Sequence, residues 1–314
     1  MKKLFKERNK SESLPDKSFR IVALVGASVL LVIIFALFVE LFRSSWLSIE
    51  KFGWSFLVSN VWDPVRGEFG AAASIWGTLV STFIAMIIAV PLAILIAFFL
   101  VEILPEKLSA FVGTGIELLA AIPSIIYGMW GLFVFAPFMA KYIQPTMKEI
   151  FGESVFFSGP PLGIGMLTAG IILAFMILPF ISSVVRDVFR MVPSVVKESA
   201  HGMGASLWEV THKVTVRYGL QGIIGATLLG LGRAIGETMA VTFVIGNTHK
   251  ISMSLFAPAN SITATLANEF AEASEPLYVS SLIELGLILL VITFVIQVIA
   301  QIWLKRVKKS VGIQ

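Results

Sequence analysis

Apolar residues run along this chain in long blocks separated by short polar stretches. Six blocks, 21–42, 72–101, 109–140, 162–185, 219–246 and 277–304, reach the ~20 mainly apolar residues that a helix needs to cross ~30 Å of hydrocarbon. They predict six membrane-spanning helices in an all-α integral membrane protein. The first follows a basic tail over 1–20 (Lys2, Lys3, Lys6, Arg8, Lys10, Lys17, Arg20) and lacks a small-x-small cleavage site, which predicts a retained signal-anchor helix. Residues 43–71 are too interrupted to span, but Trp46, Trp54 and Trp62 among Phe52, Phe56 and Phe69 suit an interfacial position, as a plain loop or as a docking surface. The stretch 247–276 is polar, and its Glu269, Glu272 and Glu275 read most simply as a solvated face. The spans from 72 to 304 form the core, with an inner loop over 190–218 and a second basic tail over 305–314.

Composition agrees with a bilayer as the main solvent. Apolar residues make up 57% of the 314, or about 65% with glycine, against ~45–50% for soluble domains. Charged residues are 14%, roughly half the ~25% of a soluble domain. The net charge of +4 arises from basic residues at the chain ends and in one central loop, which argues topology and not nucleic acid. With the N-terminus inside, seventeen Lys and Arg fall on the inner side and six on the outer, so both termini are expected in the cytoplasm.

Within the blocks, Pro91, Pro123, Pro137 and Pro179 each remove a backbone hydrogen bond and predict kinks, useful for gating or simply for packing. Glycines crowd the fifth block, and Gly232-x-x-x-Gly236 has the spacing that lets helices approach closely. The same block carries Arg233, fourteen residues in and so about 21 Å along a helix, with Glu237 expected one turn later on the same face. A charge at that depth needs a partner or a wet cavity, and is a functional candidate by default. A guanidinium offers a planar fork that fits phosphate, sulfate or a carboxylate bidentately. Glu237 is expected to neutralise Arg233 at rest and to yield it to a passing oxyanion. Glu40, Glu102, Glu117 and Glu284, in or at the edges of spans, are expected to snorkel or to be paired.

Other chemistry is missing. There is no cysteine, hence no disulfide or thiolate metal site, and no Gly-x-x-x-x-Gly-Lys-Ser/Thr loop to cradle ATP. His201, His212 and His249 all fall in loops, away from any serine on a span, so intramembrane proteolysis is not expected.

The inner loop reads Glu198-Ser199-Ala200-His201-Gly202-Met203-Gly204-Ala205, which resembles the Glu-Ala-Ala, three residues, Gly signature of ABC importer permeases. Ser199 replaces the first alanine, and Arg217 stands where a proline is usual. Gly232-Arg233-Ala234-Ile235-Gly236-Glu237-Thr238-Met239-Ala240-Val241 resembles the fifth-span motif of phosphate importer permeases, of the PstC type more than the PstA type. Trp62-Asp63-Pro64, Phe69-Gly70, Gly77-Thr78-Leu79 and Ile122-Pro123-Ser124 support the resemblance, which covers the chain from about residue 20.

The resemblance implies a type I ABC importer permease fold in the cytoplasmic membrane. It implies a PstA-type companion permease, a PstB-type ATPase dimer holding ATP and Mg, and an external PstS-type phosphate-binding protein. The loop around Glu198, Ser199, Ala200 and Gly204 would couple to the ATPase, and Arg233 and Glu237 would line the phosphate pathway. The chain itself would bind no cofactor and catalyse no reaction. A permease for sulfate or molybdate, and a secondary transporter coupled to protons or sodium, remain the alternatives.

Overall fold

The computed structural model describes residues 14–152 and 154–311. The start of the expected N-terminal tail, with Lys2, Lys3, Lys6, Arg8 and Lys10, and the last three residues of the chain lie outside the described residues. The remainder of each expected tail is helical, since α1 (Leu14–Ser44) begins within the first and α12 (Pro276–Val311) runs far into the second. Between them come α2 (Trp46–Phe52), α3 (Ser55–Val58), α4 (Ala72–Ile103), α5 (Glu106–Ala120), α6 (Ser124–Phe151), α7 (Met166–Arg190), α8 (Ser194–Gly202), α9 (Leu207–Ile235), α10 (Met239–Val244) and α11 (Ile262–Glu269). Six helices among the described residues are long and apolar enough to cross a membrane: α1, α4, α6, α7, α9 and α12. The only strand-like pairing among the described residues is a bridge between Asp63 and Glu68.

α7 is the axis of the bundle. About two thirds of its most apolar window is buried within the chain, whereas none of α1's is, so α1 turns its side chains outward. α7 packs most extensively on α4. The cause is legible in α4, where Ala85, Ala89, Ala93 and Ala97 recur every four residues and are all fully buried. Lipid tails are as apolar as leucine, so helices in a bilayer associate through close contact, and a flat alanine face allows it. Ile172, Met176 and Ile177 of α7 fill the same core cluster as those alanines.

The third expected span is broken. Helix runs over α5, stops at Ala121–Pro123 and resumes in α6, because the residue before a proline is disfavoured in the α region. α6 then continues past the expected boundary to Phe151 through two π turns, Gly131–Phe135 and Met139–Ile143. The fifth span is broken too. Its helix α9 starts at Leu207, ahead of the expected 219, ends at Ile235, and is followed by the separate α10.

In the polar stretch 247–276, Glu272 and Glu275 are exposed as expected and Glu269 is half-buried, but the stretch as a whole is not mainly a solvated face. Ser254, Asn260, Ser261, Thr263 and Thr265 are buried as the chain dips into the bundle and turns into α11. Gly77 of α4 lies so close to the Asn260 backbone that any side chain would collide with it. The Thr78 hydroxyl accepts from Ile262 N at 2.9 Å, and the Ser74 and Thr265 hydroxyls meet at 3.1 Å. Non-helical backbone inside a membrane protein must find partners within the protein, and the hydroxyls supply them.

Candidate functional site

Arg233 sits in the last turn of α9. The helix stops because Gly236, a poor helix former, takes the C-cap position. Glu237 N donates to Ala234 O at 3.3 Å, and the chain then turns into α10. The break is held from two sides. The Glu237 carboxylate accepts from Ala240 N at 3.2 Å, capping the first turn of α10, and its carbonyl accepts from the Thr263 hydroxyl at 2.7 Å. Gly128 of α6 lies so close to Ala240 and Phe243 that a side chain there would push α10 away.

This geometry overturns the expected arrangement of the pair. Glu237 does not follow Arg233 on one helical face, since the helix has ended, and no ion pair joins them among the described residues. Arg233 is exposed on this chain, with its guanidinium 5.7 Å from the centre of the Phe180 ring of α7. A cation over an aromatic face is held in place without its hydrogen-bonding fork being used. The site therefore presents a positive, unpaired fork beside a break in the helix, which suits a mobile oxyanion.

Gly232 and Gly236 are not where helices meet most closely. A side chain at Gly236 would touch only its own helix, and one at Gly232 only the end of Gln297. Close approach to α7 falls instead to Gly222 and Gly230, where a side chain would collide with Val188 and with Ile181.

At the bundle end that carries α8, Glu102 and Arg186 are paired. The Glu102 carboxylate, at the foot of α4, accepts from Lys197 Nζ of α8 at 2.6 Å and from the Thr215 hydroxyl of α9 at 3.3 Å. Arg186 of α7 pairs with Glu117 of α5 and with Asp187, and Gly113 leaves room for its guanidinium. The expected pairing of Glu102 and Glu117 is thus observed, whereas Glu284 has no cationic partner among the described residues.

α8 carries Glu198 and Ser199 on its exposed face and buries Ala200. The Ser199 hydroxyl bonds back to Val195 O at 2.6 Å. Gly204 has φ +86, a left-handed conformation in which glycine is strongly favoured, and Ala205 N returns to Ala200 O at 3.1 Å to close the helix. Ser206 and Glu209 then cap the start of α9 reciprocally. Val195, Met203 and Trp208 remain exposed around this turn, an apolar patch at the end of the bundle.

Sequence reasoning missed the cluster that closes the opposite end. Glu269 accepts from Trp62 Nε1 at 2.5 Å and from the Tyr278 hydroxyl at 2.8 Å, and lies 3.2 Å from His249 Nε2. The His249 and Trp62 rings stack at 5.3 Å. Burial opposes the Glu269 charge, but the bonds from His249, Tyr278 and Trp62 outweigh it and hold the carboxyl below the usual carboxylate range. Trp62 is far in sequence from His249, Glu269 and Tyr278, so no spacing announces the cluster. No group of three or more His, Asp or Glu among the described residues is placed to hold a metal ion.

Residues 89–309 match the family of binding-protein-dependent transport system inner membrane components. The chain is 53% identical to the phosphate transport system permease protein PstC of Mesorhizobium japonicum, over 96% of this chain and 93% of that one. It is 53% identical to the PstC of Pasteurella multocida over 88% of each chain, and 36% identical to a probable PstC of Methanocaldococcus jannaschii over 94% and 95%. The fold is similar to that of a bacterial ABC transporter involved in importing the acidic polysaccharide alginate, with a TM-score of 0.61 at 17% identity over 92% of this chain and 98% of that one. The fold is that of a type I ABC importer permease, and by its sequence the chain belongs to the binding-protein-dependent inner membrane components and, among them, to the PstC phosphate transport system permeases.

Proposed function

We propose that this chain is a membrane subunit of an ATP-driven importer and carries inorganic phosphate across the cytoplasmic membrane. The observation that carries the reading is identity of 53% along nearly the whole chain to a phosphate permease. The guanidinium of Arg233 supports it, as a cation set over the Phe180 ring without a carboxylate partner. In this reading the oxyanion engages the fork of Arg233 and is released when the break at Gly236–Thr238 shifts. Glu237 acts by fixing the start of α10, and its carboxylate repels any anion that strays from the arginine.

The N-terminus and α8 then lie on the cytoplasmic side, as the excess of basic residues there favours. The exposed turn from Val195 to Trp208 seats on a PstB-type ATPase dimer, which holds the ATP and Mg. The tie between Lys197 and Glu102 passes movement of α8 directly to α4. A PstA-type permease completes the pathway, and a PstS-type binding protein delivers phosphate at the end closed by Trp62 and Glu269. This chain then carries no cofactor and no catalytic residue.

The test is uptake of labelled phosphate by cells lacking their own importer, with the whole complex restored around either the wild-type chain or Arg233→Gln. ATP-dependent uptake that excess sulfate and molybdate do not compete away is expected from wild type. Competition by either anion, or no phosphate uptake at all, would overturn the substrate assignment.

A further inference from the structure

The transport reading leaves one buried charge unused. Glu284 of α12 is 6% exposed, and its Oε2 has no hydrogen-bond partner among the described residues. The Ser48 hydroxyl of α2 reaches the carboxyl, but no lysine, arginine or histidine among the described residues pairs with it. In front of it a cleft of about 640 Å³ opens between α2, α3, α4 and α12, walled by Ile49, Leu57, Ile75, Leu287 and Val291. A carboxyl with a free oxygen at the end of an apolar trough fits a ligand that is cationic at one end, which would hold it in its charged form, and hydrocarbon at the other.

The depth of the carboxyl identifies which ligand. α2 lies across α12 one turn closer to the bundle end, where Ser48 N donates to the Ser280 hydroxyl at 3.1 Å and the Ser48 and Ser281 hydroxyls meet at 3.1 Å. Trp46 and Trp54 are exposed on this segment, beside the polar Glu50 and Lys51, as in helices that lie at the boundary between headgroups and acyl chains. Glu284 is therefore about one helical turn, ~5 Å, below that boundary, within reach of a headgroup drawn slightly inward. Leu287 and Val291 continue down α12 where the acyl chains run.

We propose that this cleft holds one phospholipid with a primary ammonium headgroup, its ammonium against the Glu284 carboxylate and its chains along Leu287 and Val291. A quaternary headgroup has no N–H to donate to the free oxygen, and an anionic one is repelled. The inference does not rest on the phosphate reading.

The test is native mass spectrometry of the purified transporter, assembled with its partner subunits, after mixing with equal amounts of phosphatidylethanolamine, phosphatidylcholine and phosphatidylglycerol. Wild type is expected to retain phosphatidylethanolamine roughly tenfold over the other two, the order that one charge-assisted hydrogen bond gives. Glu284→Gln is expected to erase the preference, and Val291→Trp, which fills the trough, to abolish retention. Equal retention of the three lipids by wild type, or an unchanged preference in Glu284→Gln, would overturn the proposal. Should Glu284→Gln fail to assemble, a photoreactive benzoylphenylalanine at Leu57 in the otherwise wild-type chain decides. A phosphatidylethanolamine adduct supports the site, whereas an adduct to a companion subunit, or no lipid adduct, overturns it.

Discussion

Two sets of charges stand within this bundle, and they are treated in opposite ways. Near the α8 end, Arg186 is paired with Glu117 and Asp187, and Glu102 with Lys197 and Thr215, so that each of these charges has an opposite charge within its own chain. At the helix break, Arg233 rests over an aromatic ring with no carboxylate near enough to pair, and Glu237 is turned away to cap α10. An isolated charge in low dielectric costs several kcal/mol, so a bundle keeps one only where something else will meet it. The paired set ties α5 to α7 and α8 to α4. In the proposed reading, the unpaired set is where a substrate would replace the missing partner.

The sharpest way to break this comparison is to remove one member of each set. Arg233→Gln should lower phosphate uptake per transporter at least ~100-fold, the effect of losing a bidentate charged contact of about 3 kcal/mol. The amount of folded chain should stay unchanged, because Arg233 holds no other element in place. Glu117→Ala should do the reverse. It leaves Arg186, with a side chain only 6% exposed, to the exposed Asp187 alone, a loss on the order of 2–3 kcal/mol. Thermal unfolding of the purified transporter should shift downward, while uptake per folded molecule stays within about twofold. If Arg233→Gln instead destabilises the chain and spares uptake, the two sets do not differ in role.

Glu102→Gln tests whether the paired set also transmits movement. It leaves the half-buried Lys197 without its counter-charge, and uptake should fall roughly tenfold while ATP hydrolysis by the complex continues. The double variant Glu102→Met with Lys197→Met should recover most of the uptake, since two apolar side chains leave no unpaired charge. Failure of that rescue would mean the ion pair does more than hold α8 against α4.

The paired and unpaired sets also differ in how far the sequence exposes them. Six blocks of apolar residues are sufficient to count the spans, because hydropathy depends on composition over ~20 residues and not on contacts. Arg233 is legible for the same reason, as a charge where none is expected. Its lack of a partner is not. Residues 233 and 237 have helical spacing, and Gly236 is one glycine among several in the same block, so it does not by itself tell a helix end from a continuing helix; the contact from Thr263 to the Glu237 carbonyl holds the break. The dip of 247–263 into the bundle is hidden because its hydroxyls, needed inside to satisfy irregular backbone, look like the hydroxyls of a solvated loop. The tie between Glu102 and Lys197 spans 95 residues and is set by tertiary packing alone.

A smaller effect is expected at the turn after α8. Gly204 has φ +86 with open space around it, so an alanine there meets no neighbour and is opposed only by backbone strain. That strain is about 1 kcal/mol, and Gly204→Ala should reduce the amount of ATPase recovered with the permease roughly fivefold at limiting concentration. Ala200, which is buried at 7% exposure on the same helix, offers the contrast. Replacing it by a larger residue should disturb the packing of α8 on the bundle and so lower the unfolding temperature, which Gly204→Ala should leave nearly unmoved.

The last and mildest effect concerns pH at the opposite end, where a third charge is held by neutral donors as well as by His249. The Glu269 carboxyl is held below its ordinary value near 4.5 in the folded protein, because Trp62, Tyr278 and His249 all favour its charged form against the opposing effect of burial. A depressed value stabilises the fold fully above the unfolded pKa, and that contribution disappears as pH falls through the lower folded value. The clamp between Trp62 and α11 should therefore be unchanged from pH 8 to pH 6 and loosen in acid below the usual carboxylate range, about pH 4. Hydrogen exchange of residues 60–70 reports it directly, since the Asp63 to Glu68 bridge hangs on Trp62. Glu269→Gln keeps one acceptor for Trp62 and Tyr278 but removes the charge, so faster exchange in this variant at neutral pH, with no further acid dependence, is the expected result. Loosening in wild type that begins already at pH 6–7 would mean that the Glu269 carboxylate is not the group that holds the clamp.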